Sequence, residues 1–308
     1  MPDLKHLSLI ALVCLSAGCL ENRSQTPIVS VNSIPRLTVP INQSLQAEPI
    51  GGGFVDPARF LVSDFVEHKI ITSKPVAGVV NHHILAMDLL AEFFKSIKQS
   101  RSDIKTFVIL SPDHFSRGHG ISLSNLGYST PAGTVLTNGD YFQSLKDLGY
   151  ADGTSGRLFE DEHGVGALVP FLAREFPDAG IVPIFLRSDV SLKQAHKLGQ
   201  DLSLLMSGNS MLIISSDMSH ALDSSKAPAR DRQTLEWLER MDFDYLKKAT
   251  DANTDSGASF AVLAAYLADL DPEKQISDYA FQLLSHKSSL DYNQDPGNVT
   301  TYITGVWH

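Results

Sequence analysis

The 308 residues are 43% hydrophobic, 19% charged and 8% aromatic, enough apolar material for a substantial core, which excludes a disordered tail, a collagen-like repeat or a disulfide-stapled miniprotein. A formal charge of -10, from 25 Lys plus Arg against 35 Asp plus Glu, gives no electrostatic footprint for nucleic acid. The 11 His stand against 2 Cys, Cys14 and Cys19, so the body of the chain does its chemistry without a thiol.

The chain opens MPDLKHLSLIALVCLSAGCL, with Lys5 near its start, an apolar stretch from Leu7 to Leu15, and Ser16, Ala17 and Gly18 directly before Cys19. That arrangement resembles a bacterial lipoprotein signal peptide and lipobox, although Ser16 stands where Leu is usual. The resemblance implies cleavage before Cys19, export, and anchoring to a cell-envelope membrane through a lipid on Cys19. The apolar stretch is too short for an ordinary membrane-spanning helix. The expected organisation is a signal peptide at 1–18, a Ser-, Asn-, Pro- and Gly-rich tether or surface strap at 19–53, and one domain at 54–308.

Asp56-Pro57 reads as a helix N-cap followed by proline at the first helical position, with Leu61, Phe65 and Val66 as a buried stripe. VAGVV at 76–80 predicts a strand, and Leu85, Leu89, Leu90, Phe93, Phe94 and Ile97 then recur at helical spacing. TFVILS at 106–111 predicts a second strand, followed by a helix carrying Leu168, Phe171 and Leu172. IVPIFL at 181–186 precedes a helix with Leu192, Ala195, Leu198, Leu202 and Leu205, and MLIISS at 211–216 is the clearest buried strand. Helices are expected at about 228–249 and 258–269, with closing strands near 278–284 and 300–306. Strands interleaved with long helices predict a three-layer α/β/α fold around a mostly parallel central sheet.

In such a sheet, ligands collect beyond the carboxyl ends of the strands. Those ends carry Asn81-His82-His83, Pro112-Asp113-His114 and Asp217-Met218-Ser219-His220, while Glu160-Asp161-Glu162-His163 directly precedes an apolar helix. Imidazoles supply neutral nitrogen ligands or proton carriers, and carboxylates supply hard oxygen ligands or orient a histidine through its other nitrogen. No nucleophile elbow, glycine-rich phosphate loop or nicotinamide fingerprint accompanies them.

VVNHHILA (79–86), ILSPDHF (109–115), TPAG (130–133), EDEHG (160–164), LVPFL (168–172), IVPIFL (181–186) and IISSDMSHA (213–221) resemble, in order and spacing, the Memo family, also called AmmeMemoRadiSam system protein B, across about 49–308. The resemblance implies a fold similar to the class III extradiol dioxygenases. It also implies that His82 and His114 are metal ligands and that His163, Asp217 and His220 line the same pocket in catalytic roles. The family's later cysteine falls on Ser256 in NTDSGASFAVL (253–263), beside Asp255. Two roles are open to Asp255: a third metal ligand, completing a two-histidine, one-carboxylate set, or a cap on the helix that begins near Gly257. Iron is the expected divalent metal, with copper or zinc as alternatives. The functions implied are a mononuclear non-haem iron enzyme on an unidentified substrate, or a metal-assisted hydrolase. Set against these are a lipid-anchored metal-handling or peptide-binding protein and an accessory factor of a radical-SAM system.

Overall fold

A computed structural model describes residues 47–51, 55–154, 159–242, 245 and 252–308. The expected signal peptide at 1–18, Cys19 and most of the expected 19–53 tether lie outside the described residues. The part of that tether which is described, Ala47–Gly51, is a strand, β1.

After β1 comes α1 (Pro57–Val62), whose Asp56 cap accepts the Arg59 N–H at 2.9 Å. The next strand, β2 (Ala77–Val80), leads into α2 (Met87–Ser100) and then β3 (Thr106–Pro112). Four short strands follow, β4 (Ile121–Leu123), β5 (Leu126–Thr130), β6 (Gly133–Val135) and, after α3 (Gly139–Asp147), β7 (Ala151–Asp152). Two short helices, α4 (His163–Gly166) and α5 (Val169–Glu175), precede β8 (Gly180–Leu186). Helix α6 (Leu192–Leu205) leads to β9 (Ser210–Ser215) and β10 (Met218–Leu222). The chain then runs through α7 (Ala227–Glu239), α8 (Gly257–Leu270), β11 (Phe281–Ser288) and β12 (Val299–Trp307).

Among the described residues the main sheet has nine strands in the order β10-β12-β2-β9-β3-β8-β4-β7, with β11 paired to β12. Its centre, β2-β9-β3-β8, is parallel, and antiparallel pairs extend it on both sides. Strands β1, β5 and β6 make a separate small sheet.

The layers follow from strand alternation. Phe107 and Ile109 of β3 pack with Phe93 and Phe94 of α2 and Phe171 of α5. Val108 and Leu110 point the other way, toward Leu198 of α6 and Phe260 of α8. Both faces are covered, so β3, β8 and β9 are buried throughout, and their sequences are near-continuous apolar runs instead of alternating ones. The expected mixed, mostly parallel α/β sheet flanked by helices is the observed fold.

The expected stripe on the first helix fails at Leu61 and Phe65, while Val66 is partly buried against the core. Leu61 is 68% exposed and Phe65 88% exposed, and the buried residue is Phe60, edge-on to Phe171 at 5.3 Å. The α-helix stops at Val62 and a 3₁₀ turn covers Ser63–Phe65. Its tighter winding breaks the i, i+4 register and turns Phe65 outward. Helix α7 also ends earlier than the 249 expected, with Met241 just beyond it at a positive φ of 56°. Residues 243–244 and 246–249 of that expected helix lie outside the described residues. The strand expected near 278–284 is displaced to Phe281–Ser288 because Ile276–Asp278 forms a 3₁₀ turn.

Candidate metal centre

Three adjacent parallel strands end at one edge of the sheet. β2 runs into Asn81 and His82, β9 into Ser216 and Asp217, and β3 into Asp113 and His114. Because β9 lies between β2 and β3, the strand order reverses here, which opens the type of crevice where α/β sheets bind ligands. The loop before α8 adds a fourth side chain. Thr254 bridges to Met218, and the Asp255 N–H donates to the Asp217 carbonyl at 3.2 Å, which brings Asp255 to the strand ends.

The Asp255 carboxylate is the focus of the cluster. Its Oδ2 lies 3.1 Å from His82 Nε2, 3.7 Å from His114 Nε2 and 3.7 Å from His220 Nε2. Its Oδ1 accepts the Ser216 hydroxyl at 2.7 Å. Asp217 Oδ2 is 3.8 Å from both His82 Nε2 and His220 Nε2, while its Oδ1 accepts the His82 and His83 backbone N–H groups at 3.1 and 3.3 Å. His163, at the start of α4, stacks on His114 with centroids 4.1 Å apart and stands 5.2 Å from the His82 ring.

The distal nitrogens fix how two of these rings face. The Ser215 hydroxyl donates to the Gly164 carbonyl, so its oxygen accepts from His82 Nδ1 at 3.0 Å. Glu162 Oε1 accepts from His114 Nδ1 at 2.7 Å, and its Oε2 accepts the His114 backbone N–H at 3.0 Å. With Nδ1 engaged in both rings, Nε2 is the nitrogen presented to the centre, the usual support for a ligating histidine. Glu162 also caps α4 by accepting the Gly164 N–H at 2.9 Å. Gly164 must be glycine here, since a Cβ would collide with Ser111 Oγ.

Burial opposes charge on these rings, and the carboxylates decide which keep a proton. Burial lowers the His82 pKa, but Asp217 and Asp255 outweigh it and the net shift is upward. His114 is likewise opposed by burial, yet Asp255 and Glu162 push it up to about 10. Burial, together with the charges on His82 and His114, holds His163 down at about 4, and burial lowers His83 as well. Burial alone would raise the Asp255 carboxyl, but the His82 charge and hydrogen bonds from His114 and His82 hold it well below the usual carboxylate range. Without a metal, the Asp255 anion therefore faces the His114 imidazolium, with the carboxylates favouring the protonated form of His82 and a neutral His163 beside them.

The donor set suits a transition-metal ion. His82, His114 and His163 form one group, and His82, Asp217 and Asp255 another, each with its ligand atoms within 4.8 Å of one another. His220 Nε2 is buried with no hydrogen-bond partner, a nitrogen left open toward the same point. Imidazole nitrogen with carboxylate oxygen fits iron, zinc or copper.

The structure brings His82, His114, Asp255, His163, Asp217 and His220 together. Asp255 does not cap α8: the cap position is Ser256, which makes no side-chain capping bond. The Ser256 hydroxyl pairs with Ser259 Oγ on the helix. His83 turns away, its Nδ1 accepting the Leu85 N–H at 3.2 Å. Sequence reasoning missed the supporting roles of Glu162 and Ser215. Their only signals were an acidic residue directly before His163 and a hydroxyl two residues before Asp217.

Residues 73–306 match the family model described as Memo-like protein. A MEMO1 family protein of Nitrosopumilus maritimus is 22% identical over 254 residues, covering 79% of this chain and 90% of its own length. Another, from Methanobrevibacter smithii, is 26% identical over 212 residues, 66% of this chain and 72% of its own. A third, from Aquifex aeolicus, is 29% identical over 181 residues, 56% of this chain and 64% of its own. Among solved structures, an uncharacterized protein of Escherichia coli K12 matches with a TM-score of 0.44 and 11% identity, over 75% of this chain and 98% of that one.

Proposed function

Because the chain belongs to the Memo-like protein family, we propose that its strand-end crevice is a mononuclear metal site held by His82, His114 and Asp255. The supporting observation is the convergence of three imidazole Nε2 atoms on one Asp255 oxygen, two of the rings being oriented through Nδ1 by Ser215 and Glu162. Iron is our first assignment, ahead of copper and zinc, because nitrogen and oxygen donors are present and Ser256 replaces a thiolate.

When bound, the ion would supply electrons to dioxygen if it is iron or copper, or Lewis-acid activation of water. His163, neutral at physiological pH and 40% exposed at the side chain, stands where it can take a proton from a ligand entering the crevice. Asp217 holds the turn that carries His82, through its bonds to the His82 and His83 N–H groups, and its Oδ2 lies 3.8 Å from His220 Nε2. The N-terminal lipobox-like segment supports the further proposal that the domain is displayed from a cell-envelope membrane through Cys19.

Anaerobic purification followed by Fe, Cu and Zn analysis tests the metal site, with His114→Ala and Asp255→Ala as controls. Unchanged metal content in both folded variants would refute it. Oxygen uptake with catechol-like compounds, dependent on the metal, would mark an enzyme. Stoichiometric metal without turnover favours the metal-handling role. Loss of membrane association in Cys19→Ala tests the anchor.

A further inference from the structure

His220 reaches the metal centre from a bulge. Strand β10 pairs with β12 at Met218–Thr301 and again at Leu222–Val299, so the segment from 218 to 222 is matched by the shorter one from 299 to 301. Residues 219–221, Ser219 and His220 among them, thus stand against Thr300 alone. Ser219 is fully buried and has a φ of 20°, a value that a residue with a Cβ keeps only where its surroundings over-determine it. Bulges of this kind re-aim side chains beside functional sites.

The surroundings that impose this conformation converge on one carboxylate. Asp231 of α7, 3% exposed, accepts the Ser219 hydroxyl at 2.7 Å and the Thr301 hydroxyl at 2.6 Å, both on Oδ1. Thr301 is the partner of Met218 across the ladder, so a single oxygen joins the two strands where the bulge begins. The other oxygen accepts from His286 Nε2 of β11 at 2.9 Å. Asp231 thus ties three strands together one residue before His220, without itself belonging to either ligand group.

We propose that Asp231 is a positioning residue: through Ser219 and Thr301 it sets the bulge that aims His220 Nε2 at Asp255. This deepens the metal-site reading and rests on it only where metal affinity is the readout. A purely structural role would cost stability and leave the His220 ring where it is.

The test compares Asp231→Ala, Ser219→Ala and the double variant with Asn138→Ala. Asn138 is equally buried and hydrogen-bonds Thr106 at the opposite end of β3, so its loss perturbs stability far from the site. If Asp231→Ala does not fold, Ser219→Ala carries the same comparison. Imidazole nitrogen spectra of the metal-free proteins should show the His220 ring resonances displaced in Ser219→Ala and Asp231→Ala and unmoved in Asn138→Ala. Titration with Co²⁺ alone should show about a tenfold loss of affinity in each site variant, and the double variant should bind no more weakly than Asp231→Ala alone, since the Ser219 hydroxyl acts on the bulge through Asp231. Unmoved His220 resonances in the folded site variants, or losses that multiply in the double variant, overturn the proposal. A wild-type protein that binds no Co²⁺ while its His220 resonances still shift in the variants refutes the metal reading and leaves the positioning role standing.

Discussion

Replacing Asp255 by Asn keeps the side chain's shape and removes the charge that holds protons on the surrounding imidazoles. In the metal-free folded protein the His114 pKa is about 10, against 6.5 for the free side chain. Between those values the unfolded chain has released a proton that the folded chain still holds. The resulting stabilisation is complete below pH 6.5 and is lost as pH rises toward 10. A displacement of that size sets a ceiling of about 5 kcal/mol, with a slope no steeper than about 1.4 kcal/mol per pH unit for one proton. Glu162 shares the ring with Asp255, and the His114 side chain is 22% exposed, so about 2 kcal/mol is a reasonable share for Asp255. Urea unfolding of the metal-free proteins from about pH 7 to about pH 9 measures it. Wild type should lose stability steadily across that range, with His82 adding to the loss in the same direction, and Asp255→Asn should lose markedly less. Its metal affinity should fall by more than about 100-fold, because a neutral amide replaces an anionic ligand. A flat wild-type profile, or an Asp255→Asn profile as steep as wild type, would refute the view that the Asp255 charge organises the centre.

Metal affinity should rise with pH, by about tenfold per unit between about pH 7 and pH 9, because the ion displaces the proton on His114 Nε2; calorimetric titrations in two buffers would count the protons released. Glu162→Gln should cost about 1–3 kcal/mol in urea unfolding, since an amide –NH₂ must face either the His114 backbone N–H or the His114 Nδ1–H and Gly164 N–H that Glu162 now accepts. Ser256→Cys should bring no sulfur-to-metal absorption to the Co²⁺ form, because this side chain turns toward Ser259. Phe65→Ser should shift stability by less than about 0.5 kcal/mol, whereas Phe171→Ala should cost about 3–5 kcal/mol, both read by denaturant midpoint.

The central sheet was legible because each parallel strand is covered on both faces and must be apolar at every position. TFVILS, IVPIFL and MLIISS could hardly be anything else once helices of suitable period lay between them. Strands β4, β5, β6 and β7 span only two to five residues, too short for a period to register, and their pairing is decided by contacts far away in the chain. The first helix misled for a related reason. Leu61, Phe65 and Val66 fit an apolar stripe only if one helical winding continues through Ser63, and the 3₁₀ turn there is a tertiary outcome that no spacing rule encodes.

The same distinction separates the parts of the site. His82, His114 and Asp217 were readable because parallel strands deliver their carboxyl ends to one edge, so position along the chain converts directly into position in space. Asp255 was ambiguous because an acidic residue before a helix is equally good as a cap, and only the bridge between Thr254 and Met218 turns it inward. Asp231 and His286 left no local signal: one sits mid-helix, the other on a half-buried strand, and their contact spans 55 positions. The histidines proposed as ligands are therefore written into strand ends, while the side chains proposed to aim His220 are written into the packing of β10, β11 and β12 against α7. Substitutions in that packing should alter how the centre is aimed without removing any atom that faces it.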